Sequence, residues 1–130
     1  MLDHLAVDVS DLDRSRRFYA AALAPLGYAV TRDGAAAVGF GVAAGKGRSR
    51  DPGGDFWIAV GAPPAPQIHF AFSASSRAAV DAFFAAALAA GGVDNGRPGL
   101  RPRYHENYYA AFVIDPDGYN IEAVCHVACD

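Results

Sequence analysis

The sequence predicts an α+β fold made of one strand, helix and further strands, used twice. Three observations carry this. Leu2 to Val9 and Gln67 to Ser73 alternate apolar and polar residues with strand period about His4 and His69. Each run is followed by a helical apolar stripe that stops at glycine. Sliding the chain against itself by 65 positions places His4 on His69, Ala6 on Ala71, Ser10 on Ser75, Phe18 on Phe83 and Gly27 on Gly92. Alanine-rich helices align by chance, so the His, Ser, Phe and Gly matches carry the repeat. Repeats of this kind arise where one unit cannot bury its apolar face alone, so two modules, about 1–61 and 67–128, are expected to pack into one domain.

The elements follow in order. Leu5, Val7 and Val9 form the more apolar face of the first strand, with His4, Ala6 and Asp8 on the other. Ser10 is read as the N-cap of the first helix, with Asp11 and Asp13 in the first turn and Leu12, Tyr19, Leu23 and Leu26 as its stripe. Tyr28–Arg32 and Ala35–Val42 read as two strands joined by Asp33-Gly34, a strong hairpin signal. Gly45–Gly54, with four glycines and a proline, reads as a loop, and Asp55–Gly61 as the last strand of the first module. Ala62 to Pro66 is a proline-stiffened linker. In the second module Ser75 is the expected N-cap, Val80, Phe83, Phe84, Ala87 and Leu88 the stripe, and Gly91-Gly92 the stop. Arg97–Tyr104, rich in Pro, Gly and Arg, matches no period. Tyr108–Ile114 and Tyr119–Val127 are strands around the turn Asp115-Pro116-Asp117-Gly118, where Pro fixes φ and Gly accepts φ > 0.

Composition narrows the function. A chain of 130 residues that is 52% hydrophobic can bury a core without disulfides or a structural metal. Its net charge of −3 lacks the basic excess that nucleic acid binding requires. No apolar run approaches the roughly 18–20 residues that span a bilayer, and no signal-type leader precedes the first strand, so a cytoplasmic protein is expected. Cys125 and Cys129 read as a core thiol and a tail thiol rather than a disulfide or half a metal site.

The residue that needs explaining is Glu122. Alternation puts Asn120, Glu122, Val124 and His126 on one face of the final strand. Taken alone, a strand carboxylate is most simply an edge residue facing water or an arginine partner. The repeat changes that, because His4 and His69 occupy matching positions on matching strands. Two histidines and one carboxylate on strand faces form the ligand set of a mononuclear divalent site with open coordination positions. His126 shares the parity of Glu122 but lies roughly 13 Å further along the strand, too far to ligate with it.

On these residues the chain resembles the vicinal oxygen chelate superfamily, the glyoxalase, bleomycin-resistance and ring-cleaving dioxygenase group. The resemblance rests on Leu2-Asp3-His4-Leu5-Ala6-Val7, on Phe18-Tyr19 with Leu26-Gly27, on His69 in Ile68-His69-Phe70-Ala71-Phe72, and on Asp115 to Glu122. It implies two βαβββ modules whose sheets curl into a cup around a divalent metal ion (Fe, Mn, Ni or Zn), with His4, His69 and Glu122 as ligands. It also implies a homodimer that completes or borders each site. A glyoxalase I would add a fourth ligand, a Glu in the last strand of the first module, where this chain offers Trp57 or Ile58. Three ligands match the pattern of the dioxygenases and fosfomycin-resistance enzymes, so the resemblance implies an enzyme acting on a small substrate chelated through vicinal oxygens. The alternative it implies is a non-catalytic protein that sequesters a small molecule, as bleomycin-resistance proteins do. Parity places Tyr108, Ala110 and Phe112 beside Glu122, and Gln67 and Ala71 beside His69. Tyr108, Phe112, Trp57 and Arg103 are the candidate substrate-binding residues. Arg101, Tyr104 and His105 join Arg103 as candidates for holding an anion or supplying a base.

Overall fold

The computed structural model describes residues 2–42 and 52–128. The first module is β1 (Leu5–Val9), α1 (Leu12–Leu23), β2 (Tyr28–Asp33), β3 (Ala37–Val42) and β4 (Phe56–Val60). The second is β5 (His69–Ser73), α2 (Arg77–Ala89), β6 (Val93–Leu100), β7 (Tyr109–Ile114) and β8 (Asn120–Cys125). They form two four-stranded mixed sheets, in the orders β1-β4-β3-β2 and β5-β8-β7-β6. The repeat holds at the level of register. Leu5 faces Phe56 across the parallel pair of the first sheet and Phe70 faces Ile121 across that of the second, each member displaced by the same 65 positions.

Both helices start one residue later than Ser10 and Ser75 suggest. Asp11 caps α1 by accepting from the Arg14 backbone N–H at 3.0 Å, and Ser76 caps α2 by accepting from Ala79 at 3.0 Å. Both caps sit in extended backbone, as a cap must. Ser10 is engaged elsewhere, donating its hydroxyl to Asp117 at 2.5 Å. After α1, a single 3₁₀ turn at Ala24–Leu26 is stopped by Gly27, whose φ of 89° is the left-handed conformation glycine adopts at least cost. The hairpin of the first module has Gly34, Ala35 and Ala36 between its strands, closed by Gly34 N–H donating to Ala37. Arg97 to Leu100, unassignable by periodicity, belongs to β6. Register shifts at Asp94/Gly96 and Gly96/Gly99 break its alternation, which is why no period shows in the sequence. The loop residues 45–51 and Cys129 lie outside the described residues, and Cys125 is a buried free thiol.

One apolar cluster spans both modules. Tyr19 of α1 packs on Phe40 of β3 and Phe56 of β4, and Phe56 in turn meets Phe70 and Phe72 of β5 with ring centroids 5.4 and 5.2 Å apart. Leu23, Ile58, Val80, Phe83 and Ile121 are fully buried with them, each contributing about 1.5–3 kcal/mol of apolar burial. No helix among the described residues is long and apolar enough to cross a membrane.

The polar centre of this packing is the β7–β8 turn. Asp115 is buried and accepts from the backbone N–H of Asp117 at 2.8 Å and of Tyr119 at 2.9 Å on one oxygen. Its other oxygen accepts the hydroxyl of Tyr19 from the first module. Asp117 reaches the same module through Ser10 and Arg14, and the Tyr119 hydroxyl donates to the Asp8 carbonyl at 2.6 Å. Burial raises the Asp115 pKa above the ordinary aspartate value, against the lowering effect of its three donors.

Asp115→Ala strands three buried donors and should lower the unfolding free energy by about 3 kcal/mol, whereas Asp115→Asn, which can still accept from the backbone and donate to Tyr19, should cost about 1 kcal/mol. Urea unfolding of the two variants checks this. A group whose folded pKa is raised holds its proton where the unfolded chain has lost it. Its contribution to stability is therefore full below the ordinary aspartate pKa and is lost as pH rises through the folded value. The stability difference between wild type and Asp115→Asn should shift against wild type over that interval, and an unchanged difference would contradict the assignment.

Candidate functional site

The site is built on the face of the second sheet that points away from α2. Cross-strand pairing puts Ala71 of β5 and Phe112 of β7 on either side of Glu122 in β8, and His69 beside Asn120. Strand parity therefore holds in the structure: His69, Glu122, Phe112 and Tyr108 share one face. The opposite face, with Phe72, Ile121, Ala123 and Val113, packs into the core.

Glu122 is 2% exposed. One of its carboxylate oxygens, Oε1, accepts the Tyr108 hydroxyl at 2.5 Å, and the other, Oε2, lies 3.1 Å from His69 Nε2. His69 Nδ1 is 2.8 Å from the Asn120 carbonyl, an oxygen that can only accept, so the ring carries a proton on Nδ1. A neutral ring with that tautomer turns the Nε2 lone pair onto a carboxylate oxygen. Two acceptors at this distance need a cation or a second proton between them. A backbone carbonyl on the far nitrogen is also the usual way a ligating histidine is oriented. The Tyr108 pKa is raised by burial first, then by its hydrogen bond to Glu122 and that group's charge, so the phenol remains a donor to the carboxylate across neutral pH.

Around this pair lies an aromatic and basic surround. Phe112 meets the His69 ring with centroids 6.0 Å apart. Tyr108 is flanked by Tyr104 at 4.9 Å, His126 at 5.3 Å and His105 at 5.4 Å. His105 takes a hydrogen bond from Asn107 N–H on Nδ1, which leaves Nε2 to donate to His126 Nδ1 at 2.9 Å. His126 is thus tied to His105 rather than to Glu122. Arg103 stacks on Tyr104 at the surface, its guanidinium carbon 5.0 Å from the ring centroid. Gln67 packs beside Gly118 at the end of the hairpin.

The remaining sequence candidates lie in the first module. His4 sits just before β1, exposed and 2.8 Å from Asp3. Among the described residues no three His, Cys, Asp or Glu side chains converge as a metal site. The structure brings His69 and Glu122 together and leaves His4 apart from them within one chain. Register also decides between Trp57 and Ile58. Trp57 pairs with Ala6 as Glu122 pairs with Ala71, so Trp57 occupies the position equivalent to Glu122. Its indole covers Gly39 and donates to the Gly54 carbonyl at 3.2 Å, closing that face with its own chain. Asp55 is directed elsewhere, into a cleft of about 460 Å³ between β1 and β5, where one oxygen accepts from Tyr28 and the other has no partner among the described residues. Sequence reasoning missed the link between His105 and His126, for which spacing offers no signal across 21 residues.

The chain belongs to the glyoxalase/bleomycin resistance protein/dioxygenase superfamily, whose family model matches residues 1–123. A glyoxalase/bleomycin resistance protein from Albidiferax ferrireducens T118 is 30% identical, with a TM-score of 0.74 over 94% of this chain and 95% of that one. A family enzyme from Burkholderia phytofirmans PsJN shares the fold at 14% identity, with a TM-score of 0.70 over 97% and 98% of the two chains. The E144Q mutant of glyoxalase I from Zea mays is 22% identical with a TM-score of 0.67; 95% of this chain covers 46% of that longer one. No curated protein matches.

Tyr108→Phe removes the donor to a buried carboxylate oxygen and should cost about 1–2 kcal/mol, measured by urea unfolding. A variant as stable as wild type would show that this hydrogen bond does not hold Glu122.

Proposed function

We propose that the chain is a metal-dependent enzyme of this superfamily, acting on a small oxygen-rich substrate chelated through vicinal oxygens. His69 and Glu122 hold a divalent ion (Fe, Mn, Ni or Zn), and His4 of a second copy completes the set. The observation that carries the reading is the His69 imidazole, fixed through Nδ1 by a carbonyl and aimed through Nε2 at a buried carboxylate. That arrangement fits a cation held by a nitrogen and an oxygen. The second copy is supported by β1 and β5, each at the edge of its sheet and paired on one side only among the described residues. A free edge is a template for another chain.

When bound, the metal supplies Lewis acidity toward the two substrate oxygens. This chain's own residues do the rest. Tyr108 keeps Glu122 oriented and its hydroxyl protonated, Phe112 excludes water from one side of the histidine, and Tyr104 and His105 border the opening. With Trp57 where a fourth carboxylate would stand, the reading favours a three-ligand lyase, transferase or dioxygenase over a glyoxalase I reaction.

A second reading, a non-catalytic small-molecule sequestering protein, draws on the fact that both Glu122 oxygens already have partners within one chain. Stoichiometric binding of a compound without turnover, indifferent to chelators, would favour it.

Elemental analysis of protein purified without added metal should find a divalent ion. Because the His69 side chain is 47% exposed, His69→Ala should lose that ion with its circular dichroism and melting temperature nearly unchanged. Wild type that stays metal-free after repletion with Fe, Mn, Ni and Zn would refute the proposal.

A further inference from the structure

Four of the eight arginines among the described residues are spent on aspartates: Arg14, Arg17 and Arg97 each pair with one, and Arg16 with two. Arg101 pairs with no carboxylate among the described residues, yet it is held in place. Its Nη2 donates to the Arg97 carbonyl at 2.7 Å and its Nη1 to the Leu100 carbonyl at 3.5 Å. The guanidinium lies over the Phe112 ring, 5.5 Å from the centroid.

The backbone makes room for it. Gly96 and Gly99 are the β6 residues that pair with Phe112 and Ala110, on the same face as Glu122. A Cβ on Gly96 would come within 2.9 Å of Phe112 and 3.4 Å of Arg101, and a Cβ on Gly99 within 3.1 Å of Arg101. Two glycines and two register shifts thus open a slot that the guanidinium fills. The Arg101 backbone N–H donates to the Tyr108 carbonyl at 2.7 Å, so the arginine stands across the strand pair from the tyrosine that caps Glu122. Phe112 touches both His69 and Arg101, which puts the guanidinium carbon no more than about 11.5 Å from the imidazole centroid, the two ring spacings laid end to end.

We infer that Arg101 is the anion-recognising residue of the site, and that its ligand is a vicinal-oxygen chelator that also carries a carboxylate, no larger than one substituted ring. The carbonyls take two of the five guanidinium N–H groups. The three left form a fork suited to a planar carboxylate. A half-buried arginine with no acid beside it has unspent charge, and holding it in a preformed slot lowers the ordering cost of binding. Arg103, exposed and stacked only on Tyr104, has no comparable cradle. The inference rests on the metal-site reading for the chelating end of the ligand, while the anionic end rests on Arg101 alone.

The test uses the full-length protein with zinc added and two probes that share their vicinal hydroxyls, 3,4-dihydroxybenzoate and its neutral amide, 3,4-dihydroxybenzamide, measured by isothermal titration calorimetry. Wild type should bind the acid about tenfold or more tightly than the amide, the discrimination expected of a charge-assisted pair. Arg101→Gln should bring the two affinities within about twofold while leaving the amide unaffected, and Arg101→Lys should restore only part of the preference. The melting temperature of each variant is recorded, because a purely structural role would lower it without changing the ratio. Equal affinities in wild type, undiminished discrimination in Arg101→Gln, or no binding of the acid at millimolar concentration each overturn the inference. Repeating the titrations after chelator treatment separates the two readings. Affinities that no longer depend on metal discredit the metal site, and the ratio of acid to amide still judges Arg101.

Discussion

The buried Asp115 carboxylate is the interaction on which the rest of the molecule leans. It closes its own turn through two backbone N–H groups and takes a third bond from Tyr19 in the other module. Holding the turn sets the register of β7 against β8, and in a strand pair a slip of one residue would turn every side chain to the opposite face. The pairing of Phe112 with Glu122, and the position of the Asn120 carbonyl beside His69, both follow from that register. A structural carboxylate five residues before Asn120 thus decides whether the candidate site exists, while the bond to Tyr19 and the contacts of Asp117 tie the same turn to α1. Its burial is costly, as its raised pKa records, and three good donors offset that cost.

The two modules share a register and differ in what their equivalent faces carry. In the second, the position opposite Ala71 is a glutamate and its β7 neighbour a phenylalanine, so a charged group sits beside an aromatic wall. In the first, the equivalent position is Trp57 and its neighbour on β3 is Gly39. The indole lies down over the missing side chain and is pinned by the Gly54 carbonyl. One face is filled by its own chain, and the other keeps polar groups that are only partly satisfied internally. A gene-repeat architecture can diverge in this way because each face needs only to be covered, by packing or by a ligand. The same economy explains β6, where Gly96 and Gly99 leave out side chains so that Arg101 can fold back over Phe112.

Much of the fold was legible because alternation and helical stripes are local. The strands around His4, His69 and Glu122, both helices, and the Asp115-Pro116-Asp117-Gly118 turn could all be read from residue type and spacing. The N-cap of α1 was displaced by one residue because Ser10 had a distant competitor, Asp117, that no window of sequence shows. Residues 97–100 could not be read as strand, since a strand shifted twice in register loses the period by which strands are recognised. The parity of Tyr108, Phe112 and Glu122 was readable because alternation is intrinsic to strands; the tautomer of His69 was not, because it depends on a carbonyl 51 residues away.

By itself the sequence determined the two-module α+β plan, a net charge of −3 with no basic excess, and the candidate set of His4, His69 and Glu122. Those follow from local periodicity, composition and internal repetition, which need no knowledge of who touches whom. Only the tertiary structure decided that Glu122 is buried against Tyr108 and His69, that Trp57 takes the equivalent place in the first module, and that Arg101 rather than Arg103 is held ready over Phe112. Each of these is a matter of register and long-range contact, and register is fixed by packing across the whole domain rather than by any stretch of chain.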